Sequence, residues 1–343
     1  MKKKVAIILF NLGGPDKLSS VKPFLFNLFN DPAIIQAPFY IRYFIAKLIS
    51  NKREKIAKEI YSHIGGKSPI YEETLSQAQS LTKILKNEKE NFKVFIAMRY
   101  WKPFISTTIK KVKKWTPSEI ILLPLYPQYS TTTSGSSLNS WRKETQKLSY
   151  FIPTKTICCY PEQSKFISAH VTNIKNIFIK IKDLKNTIVL FSAHGLPEKI
   201  IKQGDPYQSH VELTVNKIIE KLNNNICEYK ISYQSKVGPL RWIGPSTEEE
   251  IVKASKMHKN IIVVPVAFVS EHSETLVELD IEYKKIAKTC GCKGYYRVPA
   301  LGVNKEFIES LKDLILIKSK DAILNDKICS RGCKKCFYNN RGL

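Results

Sequence analysis

The chain has 343 residues, of which 43% are hydrophobic and 10% aromatic. This composition excludes a globally disordered protein, and the length suits two domains of ordinary size. The formal net charge is +25, but no zinc-finger, RNA-recognition or helix-turn-helix signature accompanies the scattered lysines, so we expect no nucleic-acid partner. A solvated basic surface that faces anionic lipid or an anionic substrate is the better interpretation.

The amino-terminal segment is not expected to be a targeting signal. Met1–Lys4 runs directly into the apolar stretch Val5–Phe10, which is too short for the apolar region of a signal peptide. No stretch of about 18 apolar residues could span a membrane. Eight cysteines without a secretory signal predict cytoplasmic thiols or metal ligands rather than disulfides. We therefore expect a cytoplasmic protein, and a peripheral association with the cytoplasmic face of the membrane stays open.

Strand-like apolar runs alternate with helical patterns along the whole chain. In chain order, strands are predicted near residues 5–12, 93–99, 119–126, 155–160, 187–192, 229–234, 260–268 and 295–298. Helices are predicted at residues 72–86, 163–180, 211–222, 247–256 and 273–288. This alternation is typical of right-handed crossovers between parallel strands, with helices covering both faces of the sheet.

The pattern predicts an α/β protein made of two doubly wound, Rossmann-like parallel-sheet domains that face a central cleft. We place the first domain at residues 1–150, the second at 151–320 and a cysteine-containing tail at 321–343. A (β/α)8 barrel would have the same number of strands, but the long helical insertion at residues 20–85 spoils its regular spacing.

The segment 38–49 departs from the pattern because it is aromatic, apolar and basic at once. One interpretation is a core helix with a solvated basic end. The other is an apolar lip, at about residues 34–50, that admits a flat hydrophobic ligand or touches a membrane surface.

Polar or glycine-rich loops follow several predicted strands, at the edge of the sheet where ligands bind in open α/β folds. The two glycines of Asn11–Pro15 allow close approach of a phosphate or a flat ligand, although no nucleotide-binding glycine motif is present. Arg99 is flanked by aromatic residues, which suits a planar ligand with carboxylates and equally a surface arginine beside core aromatics. The hydroxyl-rich run at 126–137 exceeds what helix capping needs and can bind an anion.

One histidine, His194, stands where the apolar run 188–191 gives way to small and polar residues. A neutral imidazole at the end of a strand can bind a borderline metal ion or take up a proton near pH 7. Taken alone, His194 is a candidate for either role.

A row of carboxylates follows the seventh predicted strand. Glu274, Glu278 and Glu282 fall at i, i+4 and i+8 and so share one stripe of a helix, with Glu271 and Asp280 nearby. A solvated acidic face is the usual explanation of such a row. Its start one turn after a strand, in a strongly basic protein, also suits a path for a divalent cation or for protons, in which raised pKa values are expected.

Seven short motifs, including several of those above, occur in a characteristic order between about residues 5 and 300. They are Asn11–Pro15, Ile64–Ile70, Tyr126–Ser130, Ser192–Pro197, Gly204–Tyr207, Gln234–Pro239 and His272–Tyr283. Each motif is weak by itself, but the series resembles the ferrochelatase family, whose members insert ferrous iron into protoporphyrin IX in the last step of haem synthesis. The resemblance implies two doubly wound domains with the porphyrin held in the cleft between them.

The resemblance also implies roles for the acidic row and the histidine. His194 and Glu274 correspond to the family's metal-site pair and are the predicted catalytic residues. Glu278 and Glu282 match the carboxylates behind that pair, and Glu271 replaces the Asp that many relatives carry; we assign all three to a relay of protons or metal. We expect His194 to accept a porphyrin proton, with Glu274 as its partner, while reversed roles and metal entry from the opposite face stay open.

Further positions are implied to bind the porphyrin. The residues expected on the face of the ring are Leu12, Tyr100, Trp242 and Phe268, and those expected on the propionate side are Arg99 and Ser130. Protoporphyrin IX and Fe(II) are then the substrates, and catalysis needs no cofactor. The lip at 34–50 lies where membrane-associated relatives carry theirs.

The tail contains a C-x3-C-x2-C pattern formed by Cys329, Cys333 and Cys336. Some ferrochelatases hold a [2Fe-2S] cluster with three carboxyl-terminal cysteines and a fourth thiolate from elsewhere. The best-known fourth position is Thr131 here, so Cys158 or its neighbour Cys159 is the candidate fourth ligand. Structural zinc and free thiols are the alternatives.

Two other functions fit the same motifs. One is a coproporphyrin ferrochelatase with a more open cleft, against which the aromatic lip argues. The other is a non-catalytic porphyrin or metal carrier on the same scaffold, which would be expected to lose His194 or the acidic row.

Overall fold

The computed structural model describes residues 2–223 and 227–320. Within these residues the chain forms two compact units. The first contains the chain up to Cys159 and the described residues from Leu311 onward, and the second is Tyr160–Ser310. The exact boundaries predicted for the domains stay a prediction.

The first unit is built on a parallel sheet with the strand order β2-β1-β3-β4. Its strands are β1 (Lys4–Asn11), β2 (Asn91–Met98), β3 (Glu119–Pro124) and β4 (Thr154–Thr156). Its helices are α1 (Val21–Phe29), α2 (Phe39–Ser62), α3 (Ile70–Leu85), α4 (Ile105–Trp115) and α5 (Ser136–Lys147), with a 3-10 turn at Leu18–Ser20 and a π-helical turn at Thr131–Gly135.

The second unit repeats this arrangement in a parallel sheet with the order β6-β5-β7-β8. Its strands are β5 (Thr187–His194), β6 (Glu228–Gln234), β7 (Asn260–Pro265) and β8 (Gly294–Arg297). The helices that follow β4 are α6 (Ser164–Phe178), α7 (Glu198–Lys202), α8 (Tyr207–Leu222), α9 (Thr247–Lys256), a π-helical segment at Glu274–Tyr283, α10 (Lys284–Thr289) and α11 (Lys305–Lys320), which crosses the division between the units.

The central strands explain why the sequence could predict this fold. Residues Val5–Phe10 of β1 are fully buried, and β3, β5 and β7 are buried along nearly their whole length. Strands covered on both faces appear as continuous apolar runs. The prediction of two doubly wound α/β sheets is confirmed, whereas the barrel alternative is wrong because the eight described strands belong to two separate sheets.

One predicted helix has a different geometry. The stretch expected to be α-helical at 273–288 begins as the π-helical segment Glu274–Tyr283 and becomes α-helical only at Lys284. A π-helix bonds each N–H to the carbonyl five residues earlier, which apolar periodicity does not reveal, and such segments are frequent at functional sites. Among the described residues, no helix combines the length and apolarity needed to cross a bilayer.

Candidate active site

The second unit brings His194 and Glu274 together. His194 is the last residue of β5, and Glu274 is the first residue of the π-helical segment. The imidazole Nδ1 lies 2.8 Å from Glu274 Oε2, and the two side chains keep 36% and 26% of their exposure. Because Nδ1 is engaged by the carboxylate, Nε2 is left as the nitrogen that can accept a proton or bind a metal ion.

Ser235 links this pair to the next carboxylate of the row. Its hydroxyl oxygen lies 3.1 Å from Glu274 Oε2 and 2.5 Å from Glu278 Oε2, and its backbone N–H donates to Glu278 Oε1 at 2.9 Å. A hydroxyl has one proton to donate, and an ionised carboxylate can only accept. Ser235 can donate to one carboxylate at a time or share its proton between the two, so its hydroxyl couples Glu274 to Glu278.

The pKa values of the two carboxyl groups are shifted in opposite directions. Burial raises the pKa of Glu278, and the negative charge of Glu274 raises it further. Burial opposes ionisation of Glu274 too, but the charge of His194 and its hydrogen bond hold the pKa of Glu274 below its usual range. Glu278 is therefore the weaker acid of the two, and the Ser235 hydroxyl, which donates to both carboxyl groups, connects them.

The pKa of His194 is raised. Burial alone would lower this pKa, but the charge of Glu274, its hydrogen bond and the charge of Glu278 outweigh the effect of burial. The imidazole is thus a stronger base than a free histidine, and the imidazolium that forms when it accepts a proton is stabilised by the carboxylate beside it.

A hydrogen-bonded chain across the strands positions Glu278. Ser192 Oγ donates to Gln234 Oε1 at 2.6 Å, and Gln234 Nε2 donates to Glu278 Oε2 at 3.0 Å. The Tyr283 hydroxyl donates to Glu278 Oε1 at 2.9 Å. The sequence reasoning did not assign roles to Gln234, Ser235 or Tyr283; the one available signal was that the polar loop at 233–239 follows a strand.

Trp242 covers the backbone next to His194. Its ring lies edge-to-face with the imidazole at a centroid distance of 6.2 Å. A Cβ atom on Gly195 would lie 3.1 Å from both the Gln234 carbonyl oxygen and Trp242 Cε3. Glycine therefore fits this position because the indole and the neighbouring strand approach the backbone closely. Phe268, the other predicted ring-packing residue of this unit, is half-buried and contacts the His272 ring at 4.6 Å.

The remaining predicted relay residues lie in different surroundings. Glu271 Oε1 accepts from Arg297 at 2.8 Å and from the Ala300 N–H at 2.9 Å, and although burial acts the other way, the arginine charge leaves its pKa lowered. Arg297 also forms a bidentate pair with Asp280. Glu282 is exposed. The structure thus brings Glu274 and Glu278 to one serine, fixes Glu271 in an ion pair and leaves Glu282 at the surface.

In the first unit, Arg99 belongs to a buried polar cluster. Its Nη2 lies 2.8 Å from Asp31 Oδ2, and its Nε donates to Ser136 Oγ at 2.7 Å. Tyr100, with 1% exposure, donates its hydroxyl to the same Asp31 oxygen at 2.7 Å. The ring of Tyr100 is therefore part of the core in this conformation, where the resemblance had implied a surface for the porphyrin.

The other predicted residues of this unit have local roles. Ser130 is fully buried, and its hydroxyl oxygen accepts from the Thr132 N–H at the start of the π-helical turn. Leu12 is half-buried and packs on the cluster that contains Tyr100. A Cβ on Gly14 would lie 2.4 Å from Ser68 Cβ, so close packing within the chain already requires this glycine.

Of the four cysteines predicted to hold an iron–sulfur cluster, one lies within the described residues and three lie outside them. Cys158 is buried, and its sulfur lies 3.7 Å from that of Cys159. Cys329, Cys333 and Cys336 lie outside the described residues. Within residues 2–223 and 227–320, no group of three or more His, Cys, Asp or Glu side chains is arranged to hold a metal ion.

Solved structures show the fold independently. The chain is similar to SirB from Bacillus subtilis with Fe3+, with a TM-score of 0.55 and 11% identity, covering 93% of this chain and 96% of that one. It is also similar to the sirohydrochlorin chelatase SirB from Bacillus subtilis subspecies spizizenii in complex with cobalt, with a TM-score of 0.52, 9% identity and coverage of 93% and 97%. At such identities the likeness concerns the fold alone.

Sequence comparison carries the assignment further. The ferrochelatase family model matches residues 4–319. The chain is 56% identical to a ferrochelatase of Pelagibacter ubique (strain HTCC1062), over 97% of this chain and 98% of that protein. It is 54% identical to a ferrochelatase of Rickettsia bellii (strain OSU 85-389), over 98% and 95%. This chain therefore belongs to the ferrochelatase family, the lyases that insert iron into porphyrins for haem synthesis.

Proposed function

We propose that this ferrochelatase inserts Fe(II) into protoporphyrin IX and that His194 and Glu274 carry the chemistry. The observation that supports the assignment most directly is the 2.8 Å contact between His194 Nδ1 and Glu274 Oε2 at the carboxyl end of β5. Insertion of Fe(II) releases two pyrrole N–H protons, so a base must lie within hydrogen-bond reach of the ring nitrogens. His194 Nε2 is that base in our proposal. The same nitrogen would also contact the incoming Fe(II).

The proton then has a path away from the ring. His194 takes the pyrrole proton at Nε2 and gives up the Nδ1 proton to Glu274. Glu274 is joined through Ser235 to Glu278, so each proton can be passed on by exchange along the hydrogen bonds. Two pyrrole protons are released in each turnover, and a cluster that changes its protonation state in steps can accept them one at a time.

Porphyrin recognition is assigned to the ring-packing and carboxylate-binding residues. We propose that Trp242, Phe268 and Leu12 contact the ring and that Arg99 meets a propionate. Trp242 beside His194 would keep the ring close to the base. Tyr100 and Ser130 are buried, so we propose that they act by supporting Arg99 and the π-helical turn.

The test is the rate of anaerobic metalloporphyrin formation from Fe(II) and protoporphyrin IX. We expect His194→Ala to lower kcat by about 10²- to 10⁴-fold, the usual contribution of a positioned general base, with porphyrin binding retained. His258→Asn is the matched control, since it removes an exposed histidine of the same unit and suits the left-handed backbone there, with φ of 52°. Porphyrin binding without iron insertion by the wild type would identify a carrier. A higher rate with coproporphyrin would identify the other chelatase.

We also propose a peripheral membrane contact through α2. Tyr40, Phe44 and Leu48 fall at i, i+4 and i+8 and are 65%, 64% and 68% exposed, so they form one apolar stripe on the surface. The exposed Lys47, next to this stripe, suits an anionic lipid surface.

Co-sedimentation with phosphatidylglycerol vesicles tests this contact. We expect the wild type to bind and the triple variant Tyr40→Ser, Phe44→Ser, Leu48→Ser to stay in the supernatant. Phe151→Ser, which removes another exposed aromatic residue of the same unit, should bind as the wild type does. Equal binding by the triple variant would contradict the proposal.

A [2Fe-2S] cluster on Cys329, Cys333 and Cys336 stays a prediction. The spacing supports thiolate ligation, and Cys158 would complete the set of four. An absorption spectrum of the anaerobically purified protein, with iron, zinc and sulfide analysis, distinguishes a cluster from zinc and from free thiols. Loss of the visible absorption bands in Cys158→Ser, but not in Cys227→Ser, would identify the fourth ligand.

A further inference from the structure

The guanidinium of Arg99 is fixed on two of its three nitrogens. Nη2 forms an ion pair with Asp31 Oδ2 at 2.8 Å, and Nε donates to Ser136 Oγ at 2.7 Å. The guanidinium carbon lies 4.9 Å from the centroid of the Tyr100 ring, which supports it from one face. Nη1 makes no hydrogen bond or ion pair with another described residue, and the side chain keeps 20% of its exposure. One pair of N–H donors is therefore available while the rest of the group is held.

Asp31 is the centre of this arrangement. Its carboxylate is almost completely buried, and one oxygen, Oδ2, forms the ion pair with Arg99 and accepts from Tyr100 and Ser136. The other oxygen accepts from the Ala33 N–H at 2.9 Å. A buried carboxylate with this many donors is stable only in one geometry, because each lost donor leaves desolvated charge.

The backbone around Asp31 is held as well. Arg42 of α2 donates from Nε to the Asn30 carbonyl at 2.9 Å and from Nη1 to the Ala37 carbonyl at 2.7 Å. The turn that carries Asp31 is thus tied to α2 on both sides, and the carboxylate is held in a fixed position relative to Arg99.

We propose that Asp31 is a positioning residue for substrate recognition: it holds the Arg99 guanidinium by Nη2 so that Nη1 is presented to a propionate carboxylate of the porphyrin. This inference rests on the proposed function, because it takes a porphyrin as the ligand. The negative charge of Asp31 offsets that of Arg99, so recognition depends on the direction of the Nη1 donors more than on net charge. Oriented, charge-assisted hydrogen bonds are strong, whereas the attraction between solvent-exposed charges is screened by water.

The experiment compares binding of protoporphyrin IX with that of its dimethyl ester, by porphyrin fluorescence, on the full chain. The ester keeps the ring and removes the carboxylates. We expect Asp31→Asn to reduce the preference for the free acid by about tenfold, the loss of one well-oriented charged hydrogen bond, while binding of the ester is unchanged. Arg99→Ala should reduce the same preference at least as much.

Glu119→Gln is the matched control. Glu119 is another buried carboxylate of the first unit, paired with Lys3 at 2.5 Å and Lys155 at 3.2 Å, and its loss should leave the preference unchanged. Ser136→Ala is a second variant, because it removes the acceptor of Arg99 Nε without unpairing a charge. It should reduce the preference in the same direction by a smaller factor.

Each outcome decides the matter. A preference retained in both Asp31→Asn and Ser136→Ala, or tighter binding of the free acid by Asp31→Asn, overturns the proposal. Equal weakening of acid and ester does so too, because it shows a purely structural role. The readout is binding, so it is independent of chelation: a wild type that prefers the free acid but inserts no iron overturns the proposed function and leaves the role of Asp31 standing.

Discussion

The two sheets of the molecule can be compared strand by strand, because the orders β2-β1-β3-β4 and β6-β5-β7-β8 are the same arrangement. Arg99 follows β2, and Ser235 follows its counterpart β6. A π-helical segment comes after β3 in the first unit and after β7 in the second. Equivalent positions on equivalent sheet edges thus carry a cation in one unit and a proton-sharing serine in the other.

The two sheet edges differ in the number of carboxyl groups that they bring together. Around Arg99, one carboxylate faces one guanidinium. Around His194, two carboxyl groups meet one hydroxyl, and the pKa values of Glu274 and Glu278 are shifted in opposite directions. Pairs of titratable groups pushed apart in this way are typical of acid–base chemistry. Under the proposed function, the first edge binds the porphyrin and the second moves protons, so variants of the first should change affinity and variants of the second should change rate.

After removal of His194 itself, Glu274→Gln is the strongest test of the assignment of binding to the first edge and proton transfer to the second. We expect kcat to fall by about 10²-fold, because the imidazolium loses the carboxylate that stabilises it. The wild-type rate should fall as the pH decreases through the raised pKa of His194, since only neutral imidazole accepts a proton. Without Glu274 that pKa is lower, so the acidic limb should move to lower pH, as measured by kcat/KM against pH. Arg99→Lys should raise KM for the porphyrin and leave the pH of the acidic limb unchanged. An unmoved limb in Glu274→Gln would contradict the assignment.

Ser235 provides a finer test, because its hydroxyl and its backbone can be separated. Its φ of 64° lies in the left-handed region, which glycine adopts freely and alanine does not. Ser235→Gly therefore removes the hydroxyl without adding strain, and we expect it to lower kcat by about tenfold with KM for porphyrin unchanged. Ser235→Ala should be less stable and equally slow. A glycine variant with the wild-type rate would show that the hydroxyl carries no protons.

The sequence allowed prediction of the strands and of the residues that end them. His194 was found because an apolar run stops there, and Arg99 because it stands among aromatics after a strand. The partners Asp31, Ser136 and Ser235 could not be found in this way. Their contacts join segments distant in sequence and depend on register, such as the pairing of His194 with Gln234 across β5 and β6. The π-helical geometry at 274–283 was also invisible, since apolar periodicity does not report which carbonyl each N–H meets.

The π-helical geometry at 274–283 leads to the smallest expected change in kcat, that of a substitution at Glu282. Spacing placed Glu282 in one row with Glu274 and Glu278, yet Ser235 contacts only the latter two, and Glu282 is exposed. A carboxylate in contact with water exchanges its protons with solvent and is screened from the buried cluster. We expect Glu282→Gln to change kcat by less than about twofold, whereas Glu278→Gln should slow turnover by about tenfold. A comparable loss in both variants would mean that protons leave along the whole row. Loss in Glu278→Gln alone would place the end of the relay at Glu278, where the hydrogen bonds from Gln234, Ser235 and Tyr283 converge.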